Sequence, residues 1–150
     1  MASVAKRWLD LGIPLALALM VWLPACALAT EDAPLTELTS LRWQHRIIVA
    51  DGRIPDAAER LRAAGPAIDE RDILWFLVSP EGLLSNYAGG IGDALAQDLR
   101  ERYLDATDTR VVLIGKDGGV KSSEPDLDLQ RLFARIDAMP MRRREMEAAE

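Results

Sequence analysis

The chain has 150 residues, of which 49% are hydrophobic and 28% charged, and its formal net charge is −6. This length suits a single domain, and the composition is that of a globular protein rather than of a disordered chain. The negative net charge argues against a nucleic acid partner, because phosphate binding needs net or clustered positive charge.

The N-terminal segment has the features of an export signal. The basic pair Lys6-Arg7 precedes an uncharged stretch over residues 11–30, and Ala27-Leu28-Ala29 matches the small-x-small pattern of a signal peptidase site. We therefore predict a signal peptide over residues 1–29, cleaved after Ala29, and a periplasmic or secreted protein. Two alternatives stay open, lipidation at Cys26 and an uncleaved membrane anchor. Membrane contact is expected only in those two cases.

The cysteine content bears directly on function. Cys26 is the only cysteine, so cleavage after Ala29 would leave a chain without any. Such a domain cannot use disulfides and must be held together by packing. Thiol–disulfide oxidoreductase and peroxiredoxin activity are not expected, because both need a thiolate nucleophile.

The first half of the remaining chain predicts a strand followed by a helix. Residues 30–40 form a polar segment that we expect to be a flexible leader. Ile47–Ala50 predicts the first strand, and Asp51-Gly52-Arg53 a turn. Pro55 suits the first turn of a helix, which Gly65-Pro66 should end or kink.

A second strand, a loop and a helix follow. Ile73–Val78 is apolar at every position, as in a parallel strand covered by helices on both faces. Ser79–Gly82 breaks this strand, and residues 83–92 are interpreted as a glycine-punctuated loop. The next helix is predicted from apolar residues four positions apart, Ile91, Leu95, Leu99 and Tyr103.

The last part of the chain predicts a hairpin and a helix. Val111–Ile114 is a short buried strand, and Asp117-Gly118 is typical of a tight turn leading into a more polar partner strand. Asp126 or Asp128 caps a helix that Pro140 interrupts. Residues 142–150 form a charged tail with helical propensity.

The order of these elements, β-α-β-α-β-β-α, predicts an α/β fold. Strands separated by helices imply parallel crossovers, and the terminal hairpin adds antiparallel pairing. We therefore predict a thioredoxin-like three-layer domain over residues 41–150, with a four-stranded mixed sheet and helices on both faces.

Four strings resemble the DUF4174 family: Leu41–Gln44, Glu70–Asp72, Ile114–Lys121 and Ile136–Arg142. The resemblance extends from about Leu38 to Glu147, and G-K-D-G-G and D-A-M-P-M-R are its most specific parts. It implies an exported, thioredoxin-like domain of a family with no settled activity. The animal members, secreted sushi-repeat proteins, imply an extracellular interaction role by analogy.

The favoured interpretation is a binding module without redox activity. Where redox relatives carry the nucleophilic cysteine this chain has Asp51–Pro55, and where they carry a facing proline it has Asp108–Arg110. An unknown protein or small molecule is the expected partner, and no cofactor or metal is predicted. The candidate binding residues come from the family-like strings: Arg42, Trp43, Arg71, Asp72, Lys116, Asp117 and Arg142.

Two other classes of function stay open. A cysteine-independent enzyme could use a carboxylate such as Asp51 or Asp72 beside an arginine, and Asp51 follows a strand at the end where open α/β sheets bind ligands. Copper handling could use methionine thioethers, the candidates being Met139, Met141 and Met146. His45, the only histidine, is interpreted as structural because no partner ligands or nucleophile can be identified for it.

Overall fold

A computed structural model describes residues 33–149, and they form a five-stranded mixed sheet with helices on both faces. The strand order across the sheet is β3-β2-β1-β4-β5. The strands are β1 (Arg46–Asp51), β2 (Ile73–Ser79), β3 (Gly82–Ser85), β4 (Val111–Ile114) and β5 (Val120–Glu124).

Five α-helices connect or follow these strands. They are α1 (Ala57–Ala63), α2 (Gly65–Asp69), α3 (Leu95–Leu99), α4 (Leu129–Asp137) and α5 (Pro140–Ala148). A 3-10 turn at Leu38–Leu41 precedes β1, and a π-helical turn at Arg100–Leu104 extends α3. Among residues 33–149, no helix has the length and apolar character needed to cross a bilayer.

Strand β1 is the centre of the sheet, and each of its residues is buried. It pairs in parallel with β2 and antiparallel with β4. The outer strands, β3 and β5, pair antiparallel with β2 and β4. The apolar runs of β1, β2 and β4 follow from this arrangement, because a central strand covered on both faces has no solvent-facing side.

The sheet separates two hydrophobic cores. Alternate residues of a strand point to opposite faces, so Ile48 and Trp75 belong to one core whereas Ile47 and Phe76 belong to the other. Helices α1, α2 and α4 cover the first core, and α3 covers the second. The domain thus has three layers, helices, sheet and helices.

The predicted number of strands was wrong: the sheet has five strands, not four. Residues 82–85, which were assigned to a turn and a loop, form β3. Ser79 pairs with Gly82 across the two-residue turn Pro80-Glu81, and Gly82 has φ 142°, which only glycine adopts readily. The four residues of β3 are exposed or half-buried, and a segment this short has too weak a hydrophobic periodicity to predict a strand.

Asn86 continues the pairing of β2 beyond the end of β3. Its Oδ1 accepts a hydrogen bond from the Trp75 N–H at 2.8 Å, and its Nδ2 donates to the Ile73 carbonyl at 3.1 Å. The side-chain amide therefore takes the place of another strand residue.

Replacing Asn86→Ala should lower the free energy of unfolding by about 1–2 kcal/mol, because two main-chain groups lose their partner. Urea denaturation would measure this. Asn86→Asp keeps the acceptor for the Trp75 N–H but places a second carboxylate oxygen against the Ile73 carbonyl, so it should also be less stable than wild type. An Asn86→Ala variant as stable as the wild type would contradict this role.

Two helix starts differ from the prediction. Helix α1 begins at Ala57, and Pro55 lies in the preceding turn instead of the first helical turn, because Asp56 has a left-handed backbone with φ 56°. Helix α3 begins at Leu95, since Ile91 instead forms a bridge with Leu35.

The N-terminal region is described from residue 33 onward. Leu35 is buried in the second core and Leu38 packs against it, so these contacts attach the described part of the predicted flexible leader to the domain. The predicted signal peptide over residues 1–29, its cleavage at Ala29, and Cys26 lie outside the described residues.

The hairpin and helix α4 agree with the predictions. Gly118, in the turn between β4 and β5, has φ 81°. Asp128 caps α4 by accepting a hydrogen bond from the Arg131 N–H. Pro140 occupies the first turn of α5, so it starts a new helix after α4 has ended.

Candidate functional site

The seven candidate binding residues come together at one end of the sheet. Arg42 and Trp43 precede β1, and Arg71-Asp72 precede β2, which is parallel to β1. Lys116-Asp117 follow β4, which runs antiparallel, so they lie at the same end. Arg142 reaches this end from the first turns of α5, through its contact with Glu70. We call it the amino end, because the parallel strands begin there.

Lys116 and Glu145 are at the centre of the interactions at the amino end. Lys116 Nζ donates to Asp72 Oδ2 at 2.8 Å and to Glu145 Oε1 at 2.9 Å. Glu145 also accepts from Arg46 Nη2 at 3.0 and 3.1 Å. The Arg46 side chain, only 2% exposed, donates in addition to the Arg71 carbonyl. Helix α5 is thereby bound to the first residue of β1.

Two more arginines join α2, α4 and α5. Arg71 makes a two-pronged pair with Asp137, at 3.0 and 2.7 Å, and its guanidinium carbon lies 4.9 Å from the centre of the Phe133 ring. Arg142 is almost completely buried and donates to the carbonyl and to a carboxylate oxygen of Glu70, at 2.9 and 2.7 Å. A planar guanidinium suits such two-point contacts, which lysine cannot reproduce.

These residues form what we call the amino-end cluster. It contains four cations and four carboxylates, Arg46, Arg71, Lys116, Arg142, Glu70, Asp72, Asp137 and Glu145. The hydrogen bonds from Lys116 and Arg71 lower the pKa values of Asp72 and Asp137. For Glu145, burial raises the pKa, but the hydrogen bonds from Lys116 and Arg46 outweigh it and lower the pKa overall. Asp72, Asp137 and Glu145 are therefore held ionised.

The loop after β4 fits closely against Arg42 and Trp43. Arg42 Nε and Nη2 both donate to the Asp117 carbonyl, at 3.1 and 2.8 Å, and the Trp43 N–H donates to the Lys116 carbonyl at 2.6 Å. A Cβ atom at Gly118 would lie 2.8 Å from Arg42 Nε. Glycine is thus needed there for both its positive φ and its small size.

Trp43 is the most exposed large apolar residue of the described chain, at 64% exposure. Its φ is 67°, in the left-handed region that bulky residues rarely occupy. Such a conformation costs on the order of 1–2 kcal/mol for a residue other than glycine. An indole held in solvent at this cost contributes little to the core, and strained backbone of this kind is concentrated at functional sites.

A groove of about 350 Å³ lies beside the amino-end cluster, between the β4–β5 loop and the start of α5. Met139, Pro140 and Met141 form its apolar wall, and Arg144 brings positive charge to it, whereas Lys121 there is paired with Asp117. Met141 is 38% exposed, so this end also presents a second large apolar side chain to solvent.

Asp51 lies at the opposite end of the sheet, as the last residue of β1. It lines a separate cleft of about 250 Å³ with Arg53 and Arg100. Arg53 Nη2 donates to Asp51 Oδ2 at 2.7 Å, and the hydrogen bonds from Arg53 lower the pKa of Asp51 in spite of its burial. Asp51 and Asp72 are therefore at different ends and form no carboxylate pair.

The stability supplied by Asp51 should vanish in acid. Its pKa in the folded state is below the reference value of 3.8, so its contribution is complete above about pH 4 and is lost as the pH falls through the lower folded value. Asp51→Asn should therefore be less stable than wild type at pH 7, and this deficit should be smaller at pH 2. Urea denaturation at both pH values measures this difference, and a deficit that stays constant or grows in acid would contradict it.

Sequence reasoning missed four members of the amino-end cluster. Arg46 lies just outside the predicted first strand, Glu70 and Asp137 lie in family-like strings but were not selected, and Glu145 lies in the predicted charged tail. Arg46 directly precedes an apolar strand, and this position was the available signal. A charged residue there is easily buried with the strand, and a buried arginine requires partners. Asp137 and Glu145 had no local signal, because the cations that donate their hydrogen bonds, Arg71 for Asp137 and Arg46 and Lys116 for Glu145, are distant in sequence.

Residues 33–149 offer few side chains in positions to bind a metal ion. That part of the chain holds no group of three or more histidine, cysteine, aspartate or glutamate side chains placed to hold a metal ion. Met139 packs against the first core, whereas Met141 is exposed. The histidine has a buried Nδ1 without a hydrogen-bond partner in the described structure. Copper handling by the methionines stays a prediction.

Comparison with known proteins identifies the family. Searches of curated proteins and of solved structures each gave no match. The family model described as "Domain of unknown function (DUF4174)" matches residues 37–145, which include all seven candidate binding residues and most of α5. The chain therefore belongs to the DUF4174 family.

Proposed function

We propose that this chain is an exported, thioredoxin-like domain that acts by binding a partner, without redox chemistry, through its amino end. The observation that carries the proposal is the convergence of the family-like strings around a solvent-exposed, strained Trp43. The support comes from the topology, from the positions that a redox site would occupy, and from the surface of the amino end.

The topology supports the thioredoxin-like assignment. With β3 set aside, the strand order is β2-β1-β4-β5, with β1 and β2 parallel and β4 and β5 antiparallel to their neighbours. Helices α1 and α4 lie on one face and α3 on the other. This is the arrangement expected of that fold, to which β3 is an addition at one edge.

The positions of a redox site argue for a function without thiols. The turn after β1 carries Asp51–Arg53, and β4 is preceded by Asp108–Arg110, so neither the cysteine nor the facing proline is present. Cys26 is the only cysteine of the chain. Purified protein should therefore show no activity in insulin-reduction and peroxide-consumption assays. Turnover in either assay would refute this part of the proposal.

The surface of the amino end supports binding. Exposed tryptophan is among the residues that contribute most to interfaces, because its ring buries a large area at little entropic cost. The loop beneath Trp43 is fixed by hydrogen bonds to Arg42 and by ion pairs of Lys116, so the surface is preorganised. The groove along Met139–Met141 extends the apolar surface.

The carboxylate enzyme is the second candidate, and it draws less support. Asp51 lines a cleft with an arginine, as that hypothesis requires. However, a general base works best with a pKa near the operating pH, whereas the pKa of Asp51 is lowered by Arg53. Asp72 is engaged by Lys116 at the other end of the sheet.

Site-specific crosslinking in the native compartment tests the proposal. A photoreactive amino acid is placed at Met141, on the groove, and in a matched control at Asp105, on the cleft that contains Asp51. We expect one discrete crosslinked product from position 141 and none from position 105. Products from position 105 alone, or from neither position, would overturn binding through the amino end.

A further inference from the structure

We propose that a second cavity at the amino end, which we call the Arg42 pocket, binds a small organic monoanion with an apolar body, such as an aryl or alkyl carboxylate. The pocket lies between the 3-10 turn, the π-helical turn and the β4–β5 loop, and its volume is about 240 Å³. This volume is below the usual range for drug-sized ligands, so the ligand is small. The inference goes beyond the proposed function, because it concerns a cavity on the other side of the loop from the groove.

The charge of the pocket selects an anion. Arg42, His45 and Arg102 line it, and none of its lining residues is an aspartate or glutamate. Arg102 Nε pairs with Asp98 at 2.6 Å, whereas Arg42 has no carboxylate within salt-bridge distance among the described residues. The neighbouring Asp117 carboxylate is taken by Lys121. Within residues 33–149, Arg42 thus keeps a positive charge at the pocket that no carboxylate pairs with.

The geometry of Arg42 prepares it for an anion. Its Nε–H and one Nη2–H donate to the Asp117 carbonyl, which fixes the plane of the guanidinium. Three of the five N–H groups of an arginine then remain for a ligand. A carboxylate can accept two of them in parallel, and charge-assisted pairs of this kind are about twice as strong as neutral hydrogen bonds.

The floor of the pocket selects an apolar body. Leu41, Ile47 and Ile114 line it and are each at most 6% exposed, so a hydrocarbon group would meet the surface of the second core. A ligand in the pocket would therefore combine a carboxylate on Arg42 with a hydrocarbon group on this floor.

Titration of ¹⁵N-labelled protein with benzoate tests the inference. We expect saturable shifts of the amide signals of Ile114, Gly115 and Gly118, and weaker or absent binding of benzamide and of inorganic phosphate. Benzamide lacks the charge, and phosphate lacks the apolar body. The absence of saturable shifts, or equal affinity for benzamide or phosphate, would overturn the inference.

Variants assign the binding to the pocket. Arg42→Gln should weaken benzoate at least about tenfold, and Arg102→Gln should weaken it by a smaller factor. Arg62→Gln, which removes an exposed guanidinium from α1, is the matched control and should change nothing. Unchanged affinity in both Arg42→Gln and Arg102→Gln would refute the assignment. Failure here would leave the crosslinking from position 141 unaffected, so the two proposals fail separately.

Discussion

Glu145→Gln is expected to lower the free energy of unfolding by about 3 kcal/mol, the cost typical of breaking a buried ion pair. Glu145 is the only carboxylate that the described structure places in contact with Arg46, whose side chain is 2% exposed. Together with Asp72, it also pairs with Lys116, whose side chain is 11% exposed. Glutamine has the same shape but no charge, so two largely buried cations would face an amide that itself donates hydrogen bonds.

Urea denaturation at pH 7 measures the loss, and Glu147→Gln on the same helix is the matched control. Glu147 is exposed, so its substitution should change stability by no more than about 0.5 kcal/mol. Trypsin should also cleave faster at Arg143 and Arg144 in Glu145→Gln, because α5 loses its contact with β1. A loss as small as that of the control would mean that solvent screens the cluster and that α5 is held by other contacts.

Trp43→Asn is expected to remove partner binding while leaving the fold intact. Asparagine tolerates the left-handed backbone that Trp43 adopts at φ 67°, and the indole is 64% exposed. The substitution relieves the backbone strain at position 43, which stabilises the fold, and it removes the buried part of the indole, which destabilises it. These two effects nearly cancel, so the free energy of unfolding should stay within about 1 kcal/mol of wild type. Because tryptophan is enriched among the residues that dominate binding energy, crosslinking from position 141 should fall at least about tenfold.

Leu84→Asn is the matched control for this substitution. Leu84 is an exposed apolar residue on β3, at the edge of the sheet, with 42% exposure. Its replacement should leave crosslinking unchanged. If Trp43→Asn instead unfolds the domain, then Trp43 has a structural role. If the variant folds and crosslinks as efficiently as wild type, then Trp43 is not a binding residue.

The parts of the fold that could be predicted are those with strong local signals. Strands β1, β2 and β4 are continuous apolar runs, the hairpin turn contains Asp117-Gly118, and α4 begins at the capping residue Asp128. Strand β3 has no such signal, since it is four residues long and is specified by its pairing with β2. The start of α1 was misjudged because the left-handed turn at Asp56 delays the helix beyond Pro55.

The site could be predicted as a set of residues but not as an arrangement. Arg71 and Lys116 were selected from separate family-like strings, and nothing local indicates that their partners are Asp137 and Glu145. Contacts between residues this far apart in sequence depend on the strand order and on the direction of α5. Neither could be derived from propensity or periodicity, which describe neighbours along the chain.

Hydrogen exchange on the unlinked complex, formed by mixing the wild-type chain with the partner that crosslinking identifies, is the most direct test of binding through the amino end. We expect slower amide exchange on binding at residues 42–46, 115–119 and 139–145, and unchanged exchange at the turn after β1. Protection confined to residues 51–54 and 79–81, around the cleft of Asp51, would contradict the account and place the partner at the carboxyl ends of the strands.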